Sequence, residues 1–166
     1  GADLAASIYG KLIMYQPVDL SVEIIADTLP LIVIYSGYKL STKEVIKIIA
    51  NQIQNNSQIY NDIFALIAKI VSEAKIAIEN QSWGELGKLF NIHYGLQEAL
   101  ETSDSVLANI IYNLRSESSI YGAKISGSGL GDCVIGLGSI ANFDNVIEGS
   151  QCLDVVVADR GLIEKD

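Results

Sequence analysis

The spacing of apolar and polar positions changes twice along this chain. Short apolar stretches rich in β-branched residues, bounded by Pro, Asp or Gly, predict strands at both ends of the sequence. Between them, apolar positions recur every three or four residues, which is typical of amphipathic helices. The predicted strands span residues 11–15, 22–25, 29–35, 123–126, 133–137 and 153–158. This order predicts an α+β fold, with helices packed on one face of a mostly antiparallel sheet.

Polar residues mark where the predicted helices begin. Ser41-Thr42-Lys43-Glu44 has the form of a capping box, in which Ser and Glu satisfy each other's free amides. A second helix carries apolar residues from Ile59 to Ala77, and Ser82–Glu85 is predicted to cap a third that ends near Leu100. Thr102-Ser103-Asp104 predicts a cap for the fourth. A short helix is also predicted over residues 143–147.

Composition limits the classes of function. The 166 residues carry a formal charge of −9, which argues against nucleic-acid binding because such proteins need a basic face. Nearly half the residues are apolar, so a folded domain is expected. No apolar run approaches the length of a membrane span. Cys133 and Cys152 are too few for a disulfide framework, so we expect reduced thiols and a cytoplasmic location. His93 has no metal-spaced partners, and we interpret it as structural.

A glycine-rich loop is the first candidate for chemistry. An apolar stretch enters it at Ala123 and another leaves it at Cys133, with Gly127, Gly129 and Gly131 between them. Glycines allow backbone amides to turn inward as a nest that suits an anion, most often a phosphate. The alternative is a tight corner without a ligand. Ser128 can add its hydroxyl to such a nest, and Lys124, just before the loop, either reaches a phosphate or faces solvent.

The second candidate is Asp3, in the first turn of a short Ala-rich helix that is predicted to end at Gly10. The helix dipole favours an ionised acid there. The alternative is an acid that only stabilises the helix start.

These two segments, with two others between them, resemble the GHMP kinase superfamily, and most closely its mevalonate kinase members. Residues 1–10 resemble the segment that carries the active-site aspartate, and residues 122–133 resemble the glycine-rich third motif. The two further segments, residues 36–44 and 86–96, follow in the expected order. Three residues depart from the family pattern, since glycines are usual where Lys11, Leu130 and Asp132 stand. We expect the Asp132 carboxylate to point away from a nucleotide or to cap local amides.

The resemblance implies a ferredoxin-like domain in a kinase that uses ATP and Mg²⁺ to phosphorylate a small-molecule alcohol. Asp3 would then be catalytic. Residues Gly127, Ser128, Gly129 and Gly131 would lie against the nucleotide phosphates, and Tyr9, Ser41 and Thr42 would line the substrate side. For Ser41 and Thr42, simple helix capping is the alternative. No protein ligand for a metal is predicted.

The family's main phosphate loop does not occur in this sequence, so we expect the C-terminal half of a longer kinase, inactive by itself. Residues 1–28 would be a remnant of the N-terminal kinase domain, and residues 29–166 the C-terminal domain. The partner of this chain would be the N-terminal half of the same kinase, and formation of a homodimer is a further possibility. Two alternatives remain: a GHMP kinase for phosphomevalonate, homoserine or a sugar, and a non-catalytic regulatory or dimerisation domain of the same fold.

Overall fold

The computed structural model describes residues 1–54, 56–140 and 149–162 and confirms the α+β architecture. Within these residues, a short N-terminal helix is followed by three strands, four helices and three strands, in the predicted order. The elements are α1 (Ala2–Tyr9), β1 (Leu12–Gln16), β2 (Ser21–Ala26), β3 (Leu31–Lys39), α2 (Thr42–Ile53), α3 (Ser57–Glu79), α4 (Trp83–Ala99), α5 (Ser105–Ser116), β4 (Ile120–Ile125), β5 (Gly131–Gly138) and β6 (Gln151–Leu153). The short helix predicted over 143–147 lies outside the described residues.

The main sheet has four strands in the order β4-β5-β3-β6, and every neighbouring pair is antiparallel. β5 runs down the middle, where Val134 lies opposite Ile34 on one side and Ile125 on the other. All three side chains are fully buried and form a core with the apolar residues of α5, such as Leu107. This core holds the two ends of the glycine loop, because the loop joins β4 to β5.

Two of the predicted helix caps are confirmed, and a third is wrong. The Ser41 hydroxyl accepts from the Glu44 amide at 3.3 Å, and the Glu44 carboxylate accepts from the Ser41 amide at 3.1 Å. Asp104 caps α5 by accepting from the Val106 and Leu107 amides, both at 3.0 Å. α4 begins as expected, but Ser82 makes no side-chain cap, because its backbone angles (φ −84°, ψ 70°) are not the extended ones of a capping residue, and the Glu85 carboxylate pairs with Lys88 at 2.7 Å.

The strand predicted over residues 153–158 is much shorter and shifted. β6 covers only three residues, which pair with Val33–Tyr35 of β3. The chain beyond it leaves the sheet, because the Ala158 carbonyl accepts from the Lys11 amide at 2.7 Å and the Leu162 amide donates to Ser7 at 2.8 Å. The C-terminal segment is therefore packed against α1, the helix that carries Asp3.

β1 and β2 form a separate two-stranded hairpin that packs on α3. Lys75 of α3 donates to Glu23 of β2 at 2.7 Å, and apolar residues of the hairpin and α3 share a second core cluster. In the described part of the chain, no helix is both long and apolar enough to cross a membrane.

Helix α4 covers the open edge of strand β4. Gly87 and Gly122 allow the two backbones to approach so closely that a Cβ on either would overlap the other element. Asn91 accepts from the Ala123 amide at 3.1 Å, while Gln97 both donates to and accepts from the backbone of Ile125 at 3.2 Å. These side chains satisfy backbone groups that an edge strand would otherwise leave unpaired. Gly87 and Asn91, within the family-like segment 86–96, therefore have structural roles.

Candidate functional site

The glycine loop contains a run of residues with left-handed backbone angles. Gly127, Gly129 and Gly131 have φ values of 76°, 85° and 107°. Leu130 and Asp132, which stand where the family pattern has glycine, have φ values of 53° and 66°. Non-glycine residues adopt this region at a cost of about 1 kcal/mol or more each. The loop thus keeps a glycine-like conformation at both substituted positions.

Two neighbouring segments hold this loop in place. The Leu130 amide donates to the Thr102 carbonyl at 2.8 Å, and the Leu130 carbonyl accepts from the Leu40 amide at 3.1 Å. A Cβ on Gly129 would overlap the Thr102 carbonyl, and one on Gly131 would lie 2.7 Å from the Tyr38 carbonyl. Gly129 and Gly131 are buried, so packing alone gives each a reason to be glycine.

The tip of the loop is different. Gly127 is exposed, and a Cβ built on it would meet nothing within 4 Å. Within the described residues, the amides of Gly127 and Ser128 donate to no protein acceptor. Two unpaired amides in a left-handed turn are a feature of anion-binding nests. The tip, rather than the whole loop, therefore has the geometry for binding an anion.

Lys39 is paired with Asp132 at the end of the loop. Its Nζ lies 2.5 Å from Oδ2 of Asp132. The hydrogen bond from Lys39 to Asp132 raises the pKa of Lys39, and the charge of Asp3 adds to this increase. Asp132 thus pairs with a lysine rather than capping local amides, and whether its carboxylate points away from a nucleotide stays a prediction.

Asp3 lies where the sequence predicts it, in the first turn of α1, and its side chain is exposed. Gly1 is the N-cap residue and provides no side-chain cap. The helix ends at Gly10, whose φ of 64° suits glycine, and the Arg160 backbone packs against that residue. The C-terminal segment therefore fixes the helix on which Asp3 is carried.

The residues predicted on the substrate side fall into two groups. Ser41 and Thr42 stand at the start of α2, directly after Leu40. The Leu40 amide is hydrogen-bonded to Leu130 of the glycine loop, so the start of α2 lies beside the loop. The Ser41 hydroxyl also donates to Glu44 at 2.5 Å, so it is engaged in the helix cap. Tyr9 is the last residue of α1 and is about half exposed, at 49%.

Tyr38 and Asp104 form a contact that sequence reasoning missed. The Tyr38 hydroxyl donates a short hydrogen bond to Oδ2 of Asp104, while Oδ1 of the same carboxylate caps α5. Burial of the phenol, followed by this hydrogen bond, raises the pKa of Tyr38. The cap motif located Asp104, but no spacing in the sequence indicates its second partner, because 66 residues separate the two.

Lys124 meets neither expectation. Its Nζ donates to the Ile125 carbonyl at 2.6 Å and lies in apolar surroundings, not against the loop tip or in open solvent. His93 lies nearby, half-buried, and burial followed by the Lys124 charge lowers the pKa of His93 to about 4. In the described part of the chain, no cluster of three or more His, Cys, Asp or Glu residues could hold a metal ion.

Comparison with known proteins gives this site a family. Residues 74–149 match the family described as GHMP kinases C terminal. This range includes α4, β4, the glycine loop and β5. Residues 74–149 are therefore similar to the C-terminal domain of the GHMP kinases.

Its curated relatives point to one branch of this family. A mevalonate kinase of Pyrococcus abyssi is 33% identical over 114 residues, which cover 66% of this chain and 34% of the relative. A mevalonate kinase of Aeropyrum pernix is 28% identical over 170 residues, covering 97% of this chain and 52% of the relative. The chain thus spans about a third to a half of the curated relatives that it matches.

Solved structures agree. The L. major mevalonate kinase in complex with R-mevalonate has a TM-score of 0.78 and 28% identity, covering 84% of this chain and 44% of that chain. A Lactococcus lactis galactokinase complexed with galactose has a TM-score of 0.66 at 15% identity, covering 93% of this chain and 52% of that one, and shows the shared fold alone.

Proposed function

We propose that this chain is the C-terminal part of an ATP-dependent kinase that transfers the γ-phosphate of ATP to the alcohol of mevalonate. The observation that carries the proposal is the glycine loop. Its tip offers two unpaired amides, and it lies in a segment matched to the GHMP kinases. Mevalonate is favoured over homoserine or a sugar because the curated relatives are mevalonate kinases.

The proposal assigns the site residues to the substrate hydroxyl, to the phosphates or to the side on which the alcohol binds. Asp3 accepts the proton of the substrate hydroxyl or supplies negative charge that orients it, as phosphoryl transfer needs a positioned nucleophile. The amides of Gly127 and Ser128 bind phosphate oxygens, and Gly129 and Gly131 keep the loop in shape. Tyr9, Ser41 and Thr42 line the side on which the alcohol binds.

The two unpaired amides at the loop tip support nucleotide binding there, and the described residues provide no cluster of three or more metal ligands. When bound, ATP supplies the phosphoryl group, and Mg²⁺ neutralises its phosphates. Because Mg²⁺ commonly keeps waters and binds through substrate phosphates, we propose that it enters together with the nucleotide. Lys39 and Asp132 form an ion pair beside the loop, so together they add no net charge on this side.

We also propose that the chain divides at residue 28. Residues 1–28 would belong to an N-terminal kinase domain and residues 29–166 to the C-terminal domain. The separation of the β1–β2 hairpin from the four-stranded sheet supports this boundary. Two unpaired amides are only part of a phosphate cradle, so we expect the 166-residue chain by itself to bind ATP weakly and not to turn it over.

A phosphorylation assay tests the proposal. A kinase that contains this chain together with the N-terminal half of a mevalonate kinase would be given ATP, Mg²⁺ and one alcohol at a time: mevalonate, phosphomevalonate, homoserine or galactose. We expect product from mevalonate only. Product from another alcohol would assign a different GHMP kinase activity, and no product from any would favour a regulatory or dimerisation domain.

A further inference from the structure

Two adjoining cavities outside the candidate site share the side chain of Lys124. One, of about 180 Å³, lies between α3 and α4, and the other, of about 430 Å³, extends toward the β1–β2 hairpin. Apart from Lys124, the smaller cavity is lined by Ile70, Val71, Ala74, Leu89, Phe90 and His93. Ligand sites are commonly about 300–1,000 Å³ and mostly apolar, with a few polar groups that fix orientation.

The amine of Lys124 lacks a charged partner in this space. It donates one hydrogen bond, to the Ile125 carbonyl, and lies 5.8 Å from the centre of the Phe90 ring. Among the residues that the structure describes, no carboxylate forms an ion pair with it. An ammonium group has three donors, so two remain for a ligand.

Burial alone lowers the pKa of Lys124 to about 8, so the amine is still mostly protonated at neutral pH. An unpaired charge in apolar surroundings is unfavourable, and an anion beside it would relieve that cost. The Nδ1 atom of His93 is a buried polar atom without a hydrogen-bond partner in the described structure. His93 lines the smaller cavity together with Lys124.

Lys75 shows the contrast within the same space. It also lines the larger cavity, but its Nζ is paired with Glu23 at 2.7 Å and with Glu79 at 3.7 Å. Lys75 is thus neutralised by the protein, whereas Lys124 is not. Among the described residues, Lys124 is therefore the one cation in these cavities without a charged partner, and it lies against apolar walls.

We propose that these cavities bind a small apolar acid, with its carboxylate on the Nζ of Lys124 and its hydrocarbon body between α3, α4 and the β1–β2 hairpin. The charge of Lys124 selects an anion over a neutral molecule, and the apolar walls select a hydrocarbon body over a polar one. This site is separate from the glycine loop, so it does not depend on the proposed kinase function.

Calorimetry with the 166-residue chain tests the proposal, with octanoate as the probe. Octanol is the control that lacks the carboxylate, and acetate is the control that lacks the hydrocarbon body. We expect one octanoate per chain, weaker binding of octanol and no binding of acetate. Lys124→Met keeps the length of the side chain and removes the charge. This variant should lower the affinity for octanoate by about tenfold or more, because a charge-assisted hydrogen bond is lost. The affinity for octanol should stay within about twofold of the parent value.

Lys75→Met is the matched variant and should leave octanoate binding within about twofold, because Lys75 already has protein partners. Equal octanoate affinity in Lys124→Met and the parent chain would overturn the proposal, as would the absence of octanoate binding to the parent. If Lys124→Met does not fold, NMR titration of the parent's lysine side chains decides. Octanoate should raise the pKa of Lys124 and octanol should not, and a titration unchanged by octanoate would overturn the site.

Discussion

Lys39 donates a hydrogen bond from Nζ to Oδ2 of Asp132 at 2.5 Å, which joins the end of β3 to the first residues of β5. An acid beside a phosphate loop would by itself repel a nucleotide. Here its charge is matched by that of Lys39. The departure from glycine at residue 132 therefore leaves the loop with a balanced pair of charges.

Replacing Asp132 with Asn should lower the pKa of Lys39, because the hydrogen bond and the charge of Asp132 are the two largest causes of its increase. Asp3→Asn should lower it by less. The Cε resonance of Lys39, followed by NMR through its titration, measures both changes. Asp62→Asn, on the exposed surface of α3, is the control and should change nothing.

The same pair sets a pH dependence of stability. A lysine pKa raised above its ordinary value near 10.5 on folding stabilises the protein below that pH, and the contribution disappears as pH rises through the folded pKa. Melting temperatures of the parent chain and Asp132→Asn should therefore converge at strongly alkaline pH. A difference that persists once Lys39 is deprotonated would contradict the pair as its cause.

Alanine substitutions should distinguish the roles of Gly127 and Gly129 in the loop, with Gly149, outside the loop, as the control. Gly127→Ala and Gly149→Ala both place a Cβ in open space at positive φ, so each should cost about 1 kcal/mol of unfolding free energy. Gly129→Ala should cost several times more, because its Cβ would overlap Thr102.

Chemical denaturation measures these costs, and ATP KM in the complete kinase measures the role of each position. Gly127→Ala should raise the KM and Gly149→Ala should not. An unchanged KM in Gly127→Ala would mean that the loop tip does not bind the nucleotide.

The α4–β4 contact gives a second stability series within one helix. Gly87→Ala should destabilise the protein by several kcal/mol, because its Cβ would overlap the Tyr121 backbone and part α4 from the sheet edge. Gly84→Ala and Gly95→Ala face open space and should stabilise it by about 0.5–1 kcal/mol through helix propensity. Equal effects at the three positions in urea denaturation would contradict the close contact.

Sequence patterns predicted local features well and long-range contacts poorly. The Ser41–Glu44 box, the Asp104 cap and the helix of Asp3 follow from residues within a few positions of each other, and all three are present. The Lys39–Asp132 pair joins residues 93 apart, so no local pattern encodes it. The apolar run at 153–158 resembles a strand, but pairing with Lys11 takes its backbone away from the sheet.

Acid should destabilise the chain through His93. Its pKa is lowered to about 4, mainly by burial, below the ordinary value of 6.5. The unfolded chain binds a proton first, so this contribution to stability is complete above about pH 6.5 and is lost as pH falls toward 4. His93→Gln should therefore lose less stability across that window.

His93 is the only histidine in the sequence, so only one set of imidazole NMR signals has to be followed. A titration midpoint near the ordinary value would contradict burial as the cause of the shift.

The central claim is that Asp3 and the glycine loop belong to a phosphoryl-transfer site. The most direct measurement is kcat for transfer of the γ-phosphate from ATP to mevalonate in the complete kinase, compared between the parent and Asp3→Asn. We predict a fall in kcat on the order of 10²-fold or more, with a smaller change in the KM of mevalonate, as expected for the loss of a group that acts in the transition state. A near-normal kcat in a folded Asp3→Asn enzyme would contradict the account and leave Asp3 as a residue that only stabilises the start of α1.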